Sequence, residues 1–132
     1  MKGSFSVETR SQTECVDITH RVSQIVRESG VRDGICVVFV PHTTAAVTIN
    51  ENADPSVVAD VLMEVNKVIP FRDGYRHGEG NSAAHIKSSL FGASETILIR
   101  EGDLLLGTWQ GIYFAEFDGP RRRRVEVQVV GS

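Results

Sequence analysis

The chain of 132 residues has the length of one ordinary domain, and its 41% hydrophobic and 23% charged residues are typical of a folded globular protein. Its formal net charge of −3 argues against broad, non-specific binding of nucleic acid, which requires a surplus of positive charge. No apolar run approaches the roughly 20 residues of a membrane span, and the N-terminus lacks the apolar segment of a signal peptide, so we expect a cytoplasmic protein with no membrane partner.

The first half of the chain predicts three strands and one helix. Alternation of apolar and polar residues over 5–9 predicts a half-buried strand, and helical spacing over 18–26 predicts a helix that ends at Gly30. The continuous β-branched run at 35–40 predicts a strand that is buried on both faces. A further strand is predicted over 47–50, where apolar and polar residues alternate again.

The second half predicts two helices followed by strands. A wide apolar stripe over 55–69 predicts a long helix, with Asp54 as its N-cap and Pro55 at its first position. After a polar loop at 71–80, a short helix is predicted over 82–91. The strands predicted after it are 96–100, 104–106, 109–117 and 125–130.

The order of these elements predicts the fold class. Strands cluster at the end of the chain and do not alternate with helices, which favours an α+β fold. We therefore predict a single compact domain over residues 1–132, with a mixed, largely antiparallel sheet on which the helices pack.

Three histidines are candidates for a site. His42 directly follows a predicted buried strand, His77 lies in the polar loop, and His85 lies one turn into the short helix. Neutral imidazoles from a loop and a helix can share a transition metal, and the helix start at Asn81 or Ser82 is a natural anion site. The alternative is that His42 only satisfies a turn and that the loop is a solvated one.

Carboxylates and a lysine lie close to these histidines in the sequence. Glu51 and Asp54 flank the start of the long helix, where they could transfer protons or bind a metal, although an N-cap role alone would explain Asp54. Lys87 and Ser88 follow on the short helix and could hold a phosphate, although a solvated lysine is the simpler interpretation.

The last strands carry further candidates. Gln110 and Glu116 fall on one face of the strand that Trp109 opens, and they require hydrogen-bond partners if they are buried. The other face of this strand carries aromatic residues, and for these the alternative to a ligand-binding role is packing in the core. Among the arginines at 121–124, alternation allows only some, such as Arg121, to grip a phosphate.

Three segments carry a resemblance to a known family. They are HTTAAVTINENADP at 42–55, AHIKSSLFG at 84–92 and GTWQ at 107–110. In this order and spacing they resemble the secondary thiamine-phosphate synthase family, over nearly the whole chain from Phe5 to Gly131. The resemblance implies a small α+β fold, a homotrimer, and a polar pocket that carries His42, His77 and His85 with a bound divalent metal. It also implies a weak transferase activity, which couples a pyrimidine pyrophosphate to a thiazole phosphate and releases pyrophosphate.

These observations together predict an enzyme that acts on a small phosphorylated metabolite. The predicted catalytic residues are His42, His77, His85, Glu51 and Asp54. The predicted ligands of a Zn or Mg ion are the same three histidines. The predicted substrate-binding residues are Asn81, Lys87, Ser88, Trp109, Gln110, Glu116 and Arg121. Two alternatives are a metal-dependent hydrolase with Glu51 or Asp54 as general base, and a non-catalytic trimeric binder of a small ligand.

Overall fold

The computed structural model describes residues 1–132 as eight strands and three helices. In chain order these are β1 (Lys2–Glu8), β2 (Glu14–Asp17), α1 (Thr19–Ser29), β3 (Gly34–Phe39), β4 (Ala45–Glu51), α2 (Pro55–Val68), α3 (Ser82–Phe91), β5 (Ser94–Arg100), β6 (Asp103–Leu104), β7 (Gln110–Glu116) and β8 (Arg122–Gly131). The predicted α+β class and single compact domain are confirmed.

The strands form two sheets. A five-stranded sheet has the order β1-β8-β3-β5-β6, a three-stranded sheet has the order β2-β7-β4, and every pair is antiparallel. The sequence predicted one sheet and did not predict β2, whose four residues are too few to show a period. Strand β8 starts at Arg122, earlier than predicted, because Arg122 pairs with Glu8 of β1.

The two sheets enclose one main core. Phe114 of β7, Val38 of β3 and Val22 of α1 have no exposed surface, so both sheets and the first helix contribute to it. Helix α3 packs on β4 through a second, smaller cluster, where Ala46 and Ala84 allow a close approach. Burial of these apolar surfaces fixes the ends of β3, β4, β7 and β8, which carry polar side chains.

Strand β3 is buried on one face only, and the prediction that both its faces are buried is wrong. Ile35 and Phe39 are 37% and 44% exposed, and Leu98 and Val130, which pair with Ile35 in the neighbouring strands, are exposed as well. We call these four residues and Val37 the outer sheet face. No helix of the chain covers this apolar surface. The sequence did not reveal this exposure, because the outer residues of β3 are as apolar as those of an interior strand.

The two later helices begin where the sequence predicted. The Asp54 side chain accepts a hydrogen bond from Ser56 N at the start of α2, and Pro55 holds the first position. Helix α3 begins after Asn81 and ends at Gly92, which places His85 in its first turns. None of the three helices is both long and apolar enough to cross a membrane.

Candidate functional site

A polar cavity of about 710 Å³ lies where β3, β7 and β8 end or begin. Its polar lining comes from the turn after β3, the loop before α3, α3 itself, the segment that joins β7 to β8, and the start of β8. The polar lining residues are His42, Thr43, Thr44, His77, Glu79, Asn81, His85, Asp118, Arg121 and Arg123. We call it the histidine pocket. Antiparallel pairing of Ala45 with Glu116 brings the start of β4 beside the end of β7, which explains why distant segments meet here.

The three predicted histidines all line this pocket. The rings of His77 and His85 lie edge to face, with centroids 5.4 Å apart and planes at 86°. His77 Nε2 is 4.0 Å from Glu79 Oε1, and both side chains are exposed in part. Two imidazoles, one from the loop and one from α3, therefore lie next to each other in the lining of the pocket.

His42 differs from the other two because one of its nitrogens is already engaged. The backbone N–H of Arg124 donates to His42 Nε2 over 2.9 Å, so Nε2 carries no proton and the neutral ring holds its proton on Nδ1. Burial, followed by the positive charge of Arg123, holds the pKa of His42 below its ordinary value. His42 is therefore a neutral imidazole at pH 7.

The residues of one chain do not fit the predicted three-imidazole metal site. No group of three His, Cys, Asp or Glu side chains lies close enough together to hold a metal ion. His42 also cannot offer Nε2 to a metal while that atom accepts the Arg124 N–H. Only His77 and His85 retain a geometry in which two imidazoles approach each other, and two nitrogens are fewer than a structural or catalytic zinc site requires.

A buried ion pair joins Arg123, which lines the pocket, to Glu116, which does not. Arg123 Nε donates to Glu116 Oε1 over 2.9 Å and Arg123 Nη2 donates to Glu116 Oε2, with the two side chains 4% and 0% exposed. Thr9 Oγ1 donates to the same Oε1 over 2.7 Å, and Arg123 Nη2 also donates to Thr44 Oγ1 over 2.8 Å. The guanidinium is fixed on one side, and Nη1, which has no hydrogen bond, remains available to a pocket ligand.

The same network keeps Glu116 ionised. Burial opposes the charge of Glu116, but hydrogen bonds from Arg123 and Thr9 outweigh it, and the net pKa of Glu116 lies below its ordinary value. The sequence indicated that Glu116 would need partners if it were buried. It did not indicate that Arg123, seven residues further along, would be the partner.

A second guanidinium lies at the rim. Arg121 donates through Nη2 to Asp118 Oδ2 and through Nε to the Asp118 carbonyl oxygen, each over 2.8 Å. Asn81 Nδ2 donates to the same Oδ2 over 2.9 Å. Asp118 was not predicted as a site residue; its position in a Gly-Pro turn two residues after Glu116 is the only signal in the sequence.

Comparisons with known proteins identify the family of the chain. A family model described as "UPF0047 protein YjbQ-like" matches residues 3–132. The chain is 55% identical to a UPF0047 protein of Methanocaldococcus jannaschii, over 97% of this chain and 93% of that protein. It is 46% identical to the UPF0047 protein YugU of Bacillus subtilis, over 99% of this chain and all of YugU. The chain belongs to the YjbQ/UPF0047 family.

A solved structure of the same family shares the fold. The crystal structure of an uncharacterised YjbQ/UPF0047 protein from Clostridium acetobutylicum superposes with a TM-score of 0.95 and 56% identity, covering 96% of this chain and 98% of that one. A YbjQ-like protein of unknown function from Sulfolobus solfataricus superposes with a TM-score of 0.96 and 37% identity, covering 100% and 97%.

Membership of the YjbQ/UPF0047 family corrects the predicted family and reaction. These relatives are described as UPF0047 or YjbQ-like proteins, and none of the descriptions names a thiamine-phosphate synthase. The predicted assignment to the secondary thiamine-phosphate synthase family was wrong by this comparison, and the transferase reaction in thiamine biosynthesis has no support. The two alternatives, a hydrolase and a non-catalytic trimeric binder, gain no support from the comparisons either.

Four predicted site residues lie at the opposite end of the three-stranded sheet of this UPF0047 protein. Glu51 pairs with Gln110 at one end of the β4–β7 ladder, whereas Ala45 pairs with Glu116 at the pocket end. Six residues of strand separate the two ends, which is roughly 20 Å. Glu51, Asp54, Trp109 and Gln110 therefore do not line the histidine pocket. Asp54 acts as a helix cap, and its hydrogen bond with Ser56 lowers its pKa.

Lys87 and Ser88 lie on α3 but do not line the pocket either. Two residues of helix turn the side chain by roughly 200°, so Lys87 faces away from the pocket that His85 lines. Lys87 has no exposed surface; its Nζ donates to Asn66 Oδ1 over 2.6 Å and lies 4.6 Å from the centroid of the Phe71 ring. Ser88 Oγ donates to the carbonyl oxygen of Thr43, which is itself a lining residue of the pocket.

The His42 contact predicts a pH dependence of stability. The unfolded chain takes up a proton on this ring at about pH 6.5, whereas the folded chain resists protonation to lower pH. The stability contribution is thus fully present above pH 6.5 and is lost as pH falls through the folded pKa.

The test is urea unfolding at pH 7.5 and at pH 5.5. Between these two pH values the free energy of unfolding should fall less for His42→Asn than for the wild type, because the amide oxygen of Asn can accept the Arg124 N–H without titrating. The control is His20→Asn on the exposed face of α1. Equal losses in both variants and the wild type would remove the role of His42.

Proposed function

We propose that the histidine pocket binds a small phosphorylated metabolite. The observation that carries the proposal is the pair of guanidiniums at the pocket, Arg121 and Arg123, each oriented by a carboxylate and each with Nη1 free of protein hydrogen bonds. A guanidinium fork matches the geometry of phosphate oxygens and forms charge-assisted hydrogen bonds with them. Orientation by Asp118 and Glu116 lowers the entropy lost when a phosphate binds.

The rest of the pocket suits a small ligand. Its volume of about 710 Å³ falls within the usual range of roughly 300–1,000 Å³ for sites that hold small molecules. His77 and His85 add ring nitrogens that can donate to, or accept from, a phosphate ester. Their exposure on a loop and on the first turns of α3 makes them accessible to a ligand from outside the protein.

We also propose that the protein works in the cytoplasm and assembles as a homotrimer. Two free cysteines support a reducing compartment. The outer sheet face supports association, because monomeric proteins rarely expose a contiguous apolar surface of this kind. Phe39 belongs both to this face and to the lining of the histidine pocket, so a partner on that face would also border the site.

Calorimetric titration with ethyl phosphate tests the binding proposal. We expect the wild type to bind this probe, and we expect Arg121→Gln to weaken binding about tenfold, because one charge-assisted hydrogen bond contributes about 1.5 kcal/mol or more. The matched control is Arg27→Gln, which removes another arginine that pairs with an aspartate, outside the pocket. An absence of binding to the wild type, or an equal loss in Arg27→Gln, would contradict the proposal.

A further inference from the structure

One carboxylate oxygen of the pocket has no partner. Asp118 Oδ2 accepts from both Arg121 Nη2 and Asn81 Nδ2, whereas Asp118 Oδ1 accepts no hydrogen bond from the protein. The Asp118 side chain is 17% exposed, and the residue lines the histidine pocket. An ionised carboxylate can only accept, so Oδ1 requires a donor from a ligand or from solvent.

The position of Asp118 is fixed by its backbone as well as by its side chain. Its N–H donates to Glu116 Oε2 over 3.1 Å, and its carbonyl oxygen accepts from Arg121 Nε over 2.8 Å. The N–H of the next residue, Gly119, donates to the carbonyl oxygen of Gln12 over 3.0 Å. Both ends of the residue are thus tied to neighbouring segments, and Oδ1 is a preorganised acceptor rather than a mobile one.

The other carboxylates near the pocket do not offer the same feature. Glu116 is fully buried, and both of its oxygens accept hydrogen bonds from the protein. The Glu79 side chain is 75% exposed on the loop, and its closest basic neighbour is His77 at 4.0 Å. Asp118 is therefore the carboxylate whose free oxygen is held in place beside the two guanidiniums.

We propose that Asp118 makes the pocket selective for phosphorylated amines, an inference that rests on the proposed binding of phosphorylated metabolites. A ligand that carries only a phosphate meets Arg121 and Arg123 but also faces the negative Oδ1 atom, which repels it. A ligand with an ammonium group close to its phosphate donates a charge-assisted hydrogen bond to Oδ1 and cancels that repulsion. Attraction for one class and repulsion of the other together give selectivity.

The test compares two probes that differ in one group. O-Phosphoethanolamine and ethyl phosphate share the phosphate and the two-carbon chain, and only the first carries an ammonium group. We expect the wild type to bind O-phosphoethanolamine about tenfold more tightly in calorimetric titration, from one charge-assisted hydrogen bond. Asp118→Asn keeps an oxygen for Arg121 and Asn81 but removes the negative charge, and we expect it to lose this preference. Asp103→Asn, which removes the charge of a carboxylate that pairs with an arginine outside the pocket, should keep it.

The outcomes distinguish this inference from the proposed binding of a phosphorylated metabolite, on which it rests. If the wild type binds both probes with equal affinity, the selectivity assigned to Asp118 is wrong while phosphate binding stands. If the wild type binds neither probe, the proposed function itself fails. A preference that survives in Asp118→Asn, or that disappears in Asp103→Asn, would also overturn the assignment. The comparison of the two probes on the wild type needs no variant, so it decides whether the pocket has this selectivity even if Asp118→Asn does not fold.

Discussion

Replacing Glu116 by Ala is expected to lower the free energy of unfolding by about 3–5 kcal/mol, the range observed when one partner of a buried ion pair is removed. Arg123 would keep its positive charge in a site where its side chain is 4% exposed, without the carboxylate that accepts from Nε and Nη2. Thr9 Oγ1 would lose one of its two acceptors in the same change and would keep the carbonyl oxygen of Arg121. Urea unfolding of wild type and variant at pH 7 measures the difference.

Two further variants control the Glu116 experiment. Asp103→Ala removes one partner of the ion pair with Arg27, where both side chains are more than 60% exposed, and should cost less than about 1 kcal/mol. The double variant Glu116→Leu and Arg123→Met replaces both charges with apolar side chains and should recover most of the lost stability. A loss below about 1 kcal/mol for Glu116→Ala itself would show that the pair is not buried as described.

Two substitutions of Lys87 are expected to differ greatly in their effect on stability. Lys87→Ala removes buried methylene groups and should lower the free energy of unfolding by about 2–5 kcal/mol, as for other buried long side chains. Lys87→Met keeps the shape and removes a charge that burial disfavours, as the lowered pKa of Lys87 also indicates. We expect Lys87→Met to remain within about 1.5 kcal/mol of the wild type, because the lost hydrogen bond to Asn66 is offset by the lost desolvation of the ammonium group.

The Lys87 variants also separate a structural role from a ligand-binding role. The structure places the ammonium group against Asn66 and Phe71, on the side of α3 away from the pocket, so Lys87→Met should bind ethyl phosphate as the wild type does. Thermal unfolding gives the stability and calorimetry gives the affinity. A folded Lys87→Met protein that no longer binds ethyl phosphate would support the predicted contact between this lysine and the ligand and would contradict a purely structural role.

Much of the fold could be predicted because its signals are local. The N-cap at Asp54, the proline after it and the apolar stripe of α2 all lie within one helix, and the glycine after α3 marks its end. Strand β3 shows where this reasoning stops. Its continuous apolar run is the same whether the outer side meets a helix or an exposed surface, and only the packing of the whole chain decides between them.

The candidate site was only partly predictable, for a related reason. Histidines are rare and reactive, so His42, His77 and His85 were conspicuous in the sequence, and the fold brings them to one pocket. Asp118 and Arg123 were not conspicuous, because their roles depend on pairings between residues of different segments. The predicted residues near Glu51 lie at the far end of β4. An extended strand spans a long distance with few residues, so residues that are close in the sequence lie far from the pocket.

Nuclear magnetic resonance of the imidazole groups tests the central claim most directly, because the chain has four histidines and only three of them line the pocket. Titration with ethyl phosphate at constant pH should shift the ring signals of His77 and His85, with His20 on α1 unchanged as an internal control. Saturable shifts confined to the pocket histidines are the predicted result. Unchanged signals at His77 and His85, or shifts of equal size at His20, would contradict the claim that a phosphorylated ligand occupies this pocket.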